Sequence, residues 1–109
     1  IMRNLIFLLP LICNSAYAQI EAKHFNAGWN NANSVGWFMD LDDCKTKGLT
    51  DIAKDTEAQT KYKIAVVPTI IIFKDGEEAI RFQADLSFKM VATKEEVTEA
   101  IDELLMSDF

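Results

Sequence analysis

The chain has 109 residues, half of them apolar and about a quarter charged, with only four Gly and two Pro. That profile excludes a disordered or low-complexity chain and fits one folded domain with its own core. Seventeen acidic against eleven basic side chains give a formal charge of −6, and no basic stripe is interleaved with aromatics, so nucleic acid and anionic membrane surfaces are not expected partners.

The first eighteen residues differ from the rest. Met2, Arg3 and Asn4 precede the apolar run Leu5 to Cys13, and the segment closes on Ala16, Tyr17, Ala18. The run is too short to span a bilayer as a mature helix, and small residues three and one before Gln19 suit the pockets of signal peptidase. The expectation is a signal peptide over 1–18 cleaved after Ala18, a domain over 19–109, and a periplasmic or secreted product. Bulky Ile12 before Cys13 disfavours a lipid-modified cysteine. Cleavage removes Arg3 and no acid, which moves the formal charge from −6 to −7, and leaves Cys44 as the one thiol. No internal disulfide can then form.

Along the chain, Ala22 to Trp29 reads as a buried strand running into a turn at Asn26, Ala27, Gly28. The polar cluster Asn30 to Ser34 is expected to cap a short helix carrying Val35, Trp37, Phe38 and Leu41 on one face, which the acids Asp40, Asp42 and Asp43 should end. Leu49 to Ala53 is expected as a strand, and Thr56 to Tyr62 as a brief helix opened by Asp55. After Pro68 the run Ile70, Ile71, Ile72, Phe73 predicts a buried strand. Asp75 and Gly76 then predict a tight hairpin, and Glu78 to Phe82 its antiparallel partner. Thr93 with Glu96 forms a capping box before Val97, Ala100, Ile101, Leu104 and Leu105, which repeat at helical spacing. This order mixes parallel crossovers with one hairpin, in an α/β fold whose sheet is covered by helices.

From about Lys23 onward the chain resembles the thioredoxin family, most specifically in Tyr62, Ile64, Val67, Pro68, Thr69, Phe73, Asp75 and Gly76. The resemblance implies a thioredoxin-like three-layer fold, a mixed central sheet flanked by helices. It also implies a cis Pro68 that presents the Val67 backbone to an extended peptide, the lesser alternative being an ordinary proline that starts a strand. A second match, His24 to Trp29, is similar to the family's strand ending in the tryptophan that precedes its CxxC motif. Here the four following residues are Asn30, Asn31, Ala32 and Asn33, so both cysteine positions are Asn. An amide can neither attack a disulfide nor resolve a mixed one. His24 stands where the family has a buried acid, with no nucleophile at hand for it to activate, and reads as a structural histidine.

Two further departures follow from the comparison. The stretch from Trp29 to Ile52 is shorter than the family's, so the first helix should be clipped. The family's initial strand and helix are lacking from the expected mature chain, so the edge assigned to Leu49 to Ala53 should be unpaired and open to a second copy or another partner. The expected binding groove is Trp29, Asn30, Asn31, Ala32, Asn33, Val67, Pro68 and Thr69, taking a protein or an extended peptide. No metal or other cofactor is expected, because one His and one Cys make a poor metal site. Cys44 reads as buried and inert, since Asp42 and Asp43 oppose a thiolate while Lys45 and Lys47 favour one. An intermolecular disulfide or a lone reactive thiol is the other reading of Cys44. Three functions remain open at this level: a redox-inactive binding module, a thiol enzyme relying on Cys44 or a partner's thiol, and a structural subunit using the open edge.

Overall fold

The structure, a computed structural model, describes residues 19–107; the expected signal segment and its Cys13 lie outside them. Four strands form one mixed sheet in the order β2-β1-β3-β4. They are β1 (Ile20–Asn26), β2 (Thr46–Asp51), β3 (Thr69–Lys74) and β4 (Glu77–Gln83), with helices α1 (Thr56–Lys61) and α2 (Lys94–Met106). β1 pairs parallel with β2 and antiparallel with β3, and β3 pairs antiparallel with β4.

Strand β3 has neighbours on both sides, and Ile70, Ile71 and Ile72 are wholly buried. A β-branched run of this kind suits a strand covered on both faces, because alternate side chains enter different cores. Ile70 and Ile72 join Ile20, Ala22, Phe38, Leu41, Val97 and Ile101 on one face of the sheet. Ile71 and Phe73 join Phe25, Ala27, Ile52, Ala58, Ile64 and Val67 on the other. The expected three-layer α/β arrangement is therefore present, with α2 on one face and α1 on the other.

The local signals act as their chemistry predicts. Asp55 accepts from the Ala58 N–H to open α1. Asp75 and Gly76 both take positive φ in the β3–β4 turn, 53° and 88°, which tight hairpins of right-twisted strands require. Thr93 and Glu96 exchange both hydrogen bonds of the capping box at the start of α2. The last turn of α2 carries no cation of its own, and Lys74 from the end of β3 donates to the Leu104 carbonyl at 2.8 Å instead.

Two expectations are corrected. The first helix is replaced by two 3₁₀ segments, Gly28–Asn33 and Phe38–Asp40, separated by Ser34 to Trp37. Side chains of the Asn30 to Ser34 cluster are spent on one another and on Asn26 rather than on capping backbone amides, while Gly36 and the acids that follow disfavour a longer helix. Phe38 and Leu41 nevertheless reach the core, and Trp37 packs half-buried against it. The expected strand Leu49 to Ala53 in fact runs over Thr46–Asp51. Ile52 still donates its N–H to the Asn26 carbonyl while its side chain enters the core beside α1, and the Asp51 carboxylate accepts from the Ala53 N–H as the chain turns. β2 keeps the expected place at the edge of the sheet.

Replacing Thr93 with Ala should lower unfolding free energy by about 1 kcal/mol through loss of the cap, and Ile101→Ala by about 2–5 kcal/mol through the cavity it leaves. Urea denaturation followed by circular dichroism measures both.

Candidate functional site

The turn after β1 brings together the residues expected to form the groove. Asn30 is buried, 5 % exposed, although it sits in a short 3₁₀ segment. Its Nδ2 donates to Asn26 Oδ1 at 3.1 Å, to the Phe88 carbonyl at 3.1 Å and, more weakly, to the Val67 carbonyl at 3.4 Å. Its Oδ1 accepts from Asn33 Nδ2 at 2.8 Å. The two asparagines at the resemblance's cysteine positions are thus joined by an amide–amide hydrogen bond. Asn26 completes the network by donating from Nδ2 to the Asn30 carbonyl and to Ser34 Oγ. One short polar side chain so ties β1, the segment before β3 and the loop after β4 together, in a low-dielectric setting that strengthens each bond.

The Val67–Pro68 peptide bond is cis, as the resemblance implied. Val67 is buried beside the α1 core. Among the described residues nothing accepts a hydrogen bond from its N–H, and its carbonyl accepts only the long bond from Asn30. Pro68 and Thr69 are buried; the Pro68 carbonyl accepts from the Ala84 N–H, and Thr69 Oγ1 donates to the Val66 carbonyl. Asn31 and Ala32 face outward, and Asn33 is half-buried.

Trp29 is 67 % exposed, unusually open for an indole. Its ring meets Phe88 edge-on at 5.2 Å between centroids, in a favourable geometry for an aromatic pair. Phe88 is the residue of this candidate site that no local sequence pattern had placed there. The turn that holds it is tied by Asp85, whose carboxylate accepts from the Ser87 N–H, Ser87 Oγ and the Lys89 N–H, and Phe88 itself takes φ 64°. A bulky residue in left-handed conformation is uncommon and needs surrounding bonds to hold it, here those of Asp85 and of Asn30. The Asp-x-Ser run before Phe88 was the available signal, since such side chains build local turns. Trp29, Phe88, Ile64, Val66 and Val67 border an apolar notch of about 100 Å³.

His24 is 3 % exposed, packs on Phe38 and accepts at Nε2 from the Val35 N–H at 3.2 Å. That bond places the ring proton of neutral His24 on Nδ1. Burial pushes its pKa below the usual 6.5, against a smaller opposing hydrogen bond to its own backbone. The geometry is that of a structural histidine fixing the turn at Val35. It also lines a cleft of about 440 Å³ between the 3₁₀ segments and β2, with Met39, Leu49 and Asp51.

Cys44 lies just before β2, at the end of the sheet away from Asn30, because β1 and β2 are parallel. It is half-buried against the α2-side core, and burial raises its pKa, reinforced by Asp43 and Asp42 and opposed by Lys47. The groove residues come together; Cys44 is not among them. No group of three or more His, Cys, Asp or Glu able to hold a metal occurs among the described residues, and none of their helices is long and apolar enough to cross a membrane.

No protein-family model matches the chain, and no curated protein matches it. Solved structures do. A point-mutant thioredoxin from Halobacterium salinarum NRC-1 aligns over 80 % of this chain and 75 % of its own, with TM-score 0.61 and 16 % identity. Fasciola hepatica thioredoxin aligns over 87 % and 89 %, with TM-score 0.55 and 21 % identity. A chain from the complex of ferredoxin:thioredoxin reductase with thioredoxin f2 aligns over 89 % and 87 %, with TM-score 0.59 and 19 % identity. At these identities the likeness concerns the fold: the chain has a thioredoxin-like fold.

Two outcomes check the site. Asn30→Ala leaves the Phe88 carbonyl, Asn26 Oδ1 and Asn33 Nδ2 without their partner and should cost on the order of 2 kcal/mol, against about 1 kcal/mol for Asn33→Ala, measured by urea denaturation. For His24, the unfolded chain takes a proton near pH 6.5 and the folded chain only below that. The unfolded state therefore binds more protons as pH falls through this window, and stability drops. Thermal melts should decline from pH 7 to pH 5 and be flatter in His24→Gln. The carboxylates of Glu78 and Asp85, held low by hydrogen bonds from Arg81 and Ser87, are lost only below the ordinary 4.5 and 3.8.

Proposed function

We propose that this thioredoxin-fold chain is an exported, redox-inactive module that binds an extended peptide or protein segment across the groove of Trp29, the Asn30 to Asn33 turn and Val67 to Thr69, with Phe88 as a further wall. The observation that carries this reading is the exposed Trp29–Phe88 pair standing beside the Val67 N–H, which no described residue accepts. An extended peptide pairs with main-chain donors and acceptors, and adjoining apolar surface holds its alternate side chains. A rigid aromatic pair supplies broad contact at little entropic cost. Sulfur chemistry is not needed for such binding. The asparagines supply no thiolate, and Cys44 lies at the far end of the sheet with a raised pKa, which disfavours the thiol-enzyme reading. Export rests on the leader-like residues 2–18 of the sequence.

The test is a fluorescence titration of Trp29 with a reduced, carboxymethylated polypeptide as the extended-chain probe, in a Trp37→Phe background. Saturable binding is expected, weakened about tenfold or more by Phe88→Ala, an anchor-sized loss, and left unchanged by Leu49→Asp outside the groove. No binding, or equal binding by the Phe88→Ala protein, overturns the groove. An insulin disulfide-reduction assay should show no activity, whereas activity abolished by Cys44→Ser would establish the thiol enzyme instead.

A further inference from the structure

The two edges of the sheet are not alike. β4 carries Glu77 and Glu78 and an irregular register opposite Ile72 and Phe73, features that discourage further pairing. β2 is regular, has no proline, and leaves Leu49 64 % exposed. Lys47, a residue that often guards an edge, is folded back: its Nζ donates to the Met39 and Leu41 carbonyls at 2.6 and 2.8 Å. The Lys45 N–H donates to the Ile20 carbonyl. The Ile52 N–H donates to the Asn26 carbonyl, and the Asp75 N–H to the Gln19 carbonyl, so odd-numbered residues of β1 bond β3 and even-numbered ones bond β2. By the alternation of a ladder, Thr46, Gly48 and Thr50 direct their backbone groups at β1, and Lys47, Leu49 and the Asp51 N–H face outward.

We infer that the partner of this edge is a second copy of the same chain, paired antiparallel through β2 about a two-fold axis at Leu49. This register makes outward-bonding Leu49 and its copy a hydrogen-bonded pair and brings the outward Asp51 N–H to the Lys47 carbonyl of the copy, the match that antiparallel hydrogen bonding requires. It also sets Leu49 against Leu49, and Lys47 against Asp51 on both sides of the axis. Lys47, Leu49 and Asp51 share one face of the sheet, since they stand opposite Ala22, His24 and Asn26. Lys47 retains its third N–H and Asp51 its second carboxylate oxygen for the contact. Shifting the axis to Gly48 or Thr50 sets Leu49 against Lys47 or Asp51 and loses both matches. The paired edges join the two sheets into one of eight strands, in a closed, self-complementary interface. The groove lies outside this interface, so the inference stands apart from peptide binding.

Sedimentation equilibrium of the purified protein between about 1 µM and about 1 mM should show a dimer, weakened by Leu49→Pro, which removes the outward donor at the axis, an edge position where proline is tolerated. A protein monomeric throughout overturns the proposal, including the case in which another segment of the chain covers the edge. The register is read in a Cys13→Ser, Cys44→Ser background. There Leu49→Cys should form a disulfide-linked dimer with oxidised glutathione, because Cα atoms about 5.5 Å apart in a hydrogen-bonded antiparallel pair fall within disulfide reach. Lys47→Cys should not, since that register separates it from its copy by about 14 Å along the strands. Equal cross-linking at both positions overturns the register. Circular dichroism confirms that each variant is folded.

Discussion

Much of the arrangement around the candidate groove depends on one buried amide. Asn30 uses both N–H donors and its carbonyl oxygen within a space too dry for water to substitute readily, and its partners come from three separate parts of the chain. Buried polar groups are costly when unmatched, so each partner holds the others in place. The end of β1, the cis-proline segment and the Asp85 to Lys89 turn therefore keep a fixed relation. Phe88 is consequently held against Trp29, and an aromatic wall exists where the resemblance alone would leave an open groove.

The sheet supplies the frame for that amide. β3 and β1 bury residues on both faces, which fixes their registers, because a slip by one residue would exchange the two cores. Toward β2 this constraint fades. Only Lys47, Thr50 and Asp51 of that strand are even partly buried, and the two 3₁₀ segments cover less of its face than a full helix would. A cleft and an exposed leucine are the result, at the same edge whose backbone faces outward.

Those features separate two kinds of surface. One end of the sheet presents aromatic area beside an unused main-chain donor, and its neighbouring polar groups are already satisfied by one another. The β2 edge presents a row of backbone groups whose side-chain pattern is complementary to its own reverse, a cation and an acid lying on either side of an apolar residue. The proposed occupants differ accordingly, an extended segment of varied sequence at the first and a copy of the chain at the second.

Local chemistry was legible in the sequence wherever one interaction dominates a short segment. The Thr93–Glu96 capping box, the Asp55 cap, the Asp75–Gly76 hairpin and the isoleucine run all form as their residue types require. So does the overall α/β order with its edge strand. The loss of thiol chemistry at positions 30 and 33 also follows from residue identity alone. The first helix was not legible, because asparagines that can cap a helix can equally bond one another, and only the approach of Asn26 and the loop after β4 selected the second. The end of β2 was set by the turn in which the Asp51 carbonyl accepts from the Lys54 and Asp55 N–H groups, with Ile52 both buried and still bonded to Asn26. Phe88 lies 59 residues from Trp29 in sequence, and no local pattern joins them. Their meeting was decided by the tertiary structure, through a buried amide that needed a carbonyl and found it in that loop.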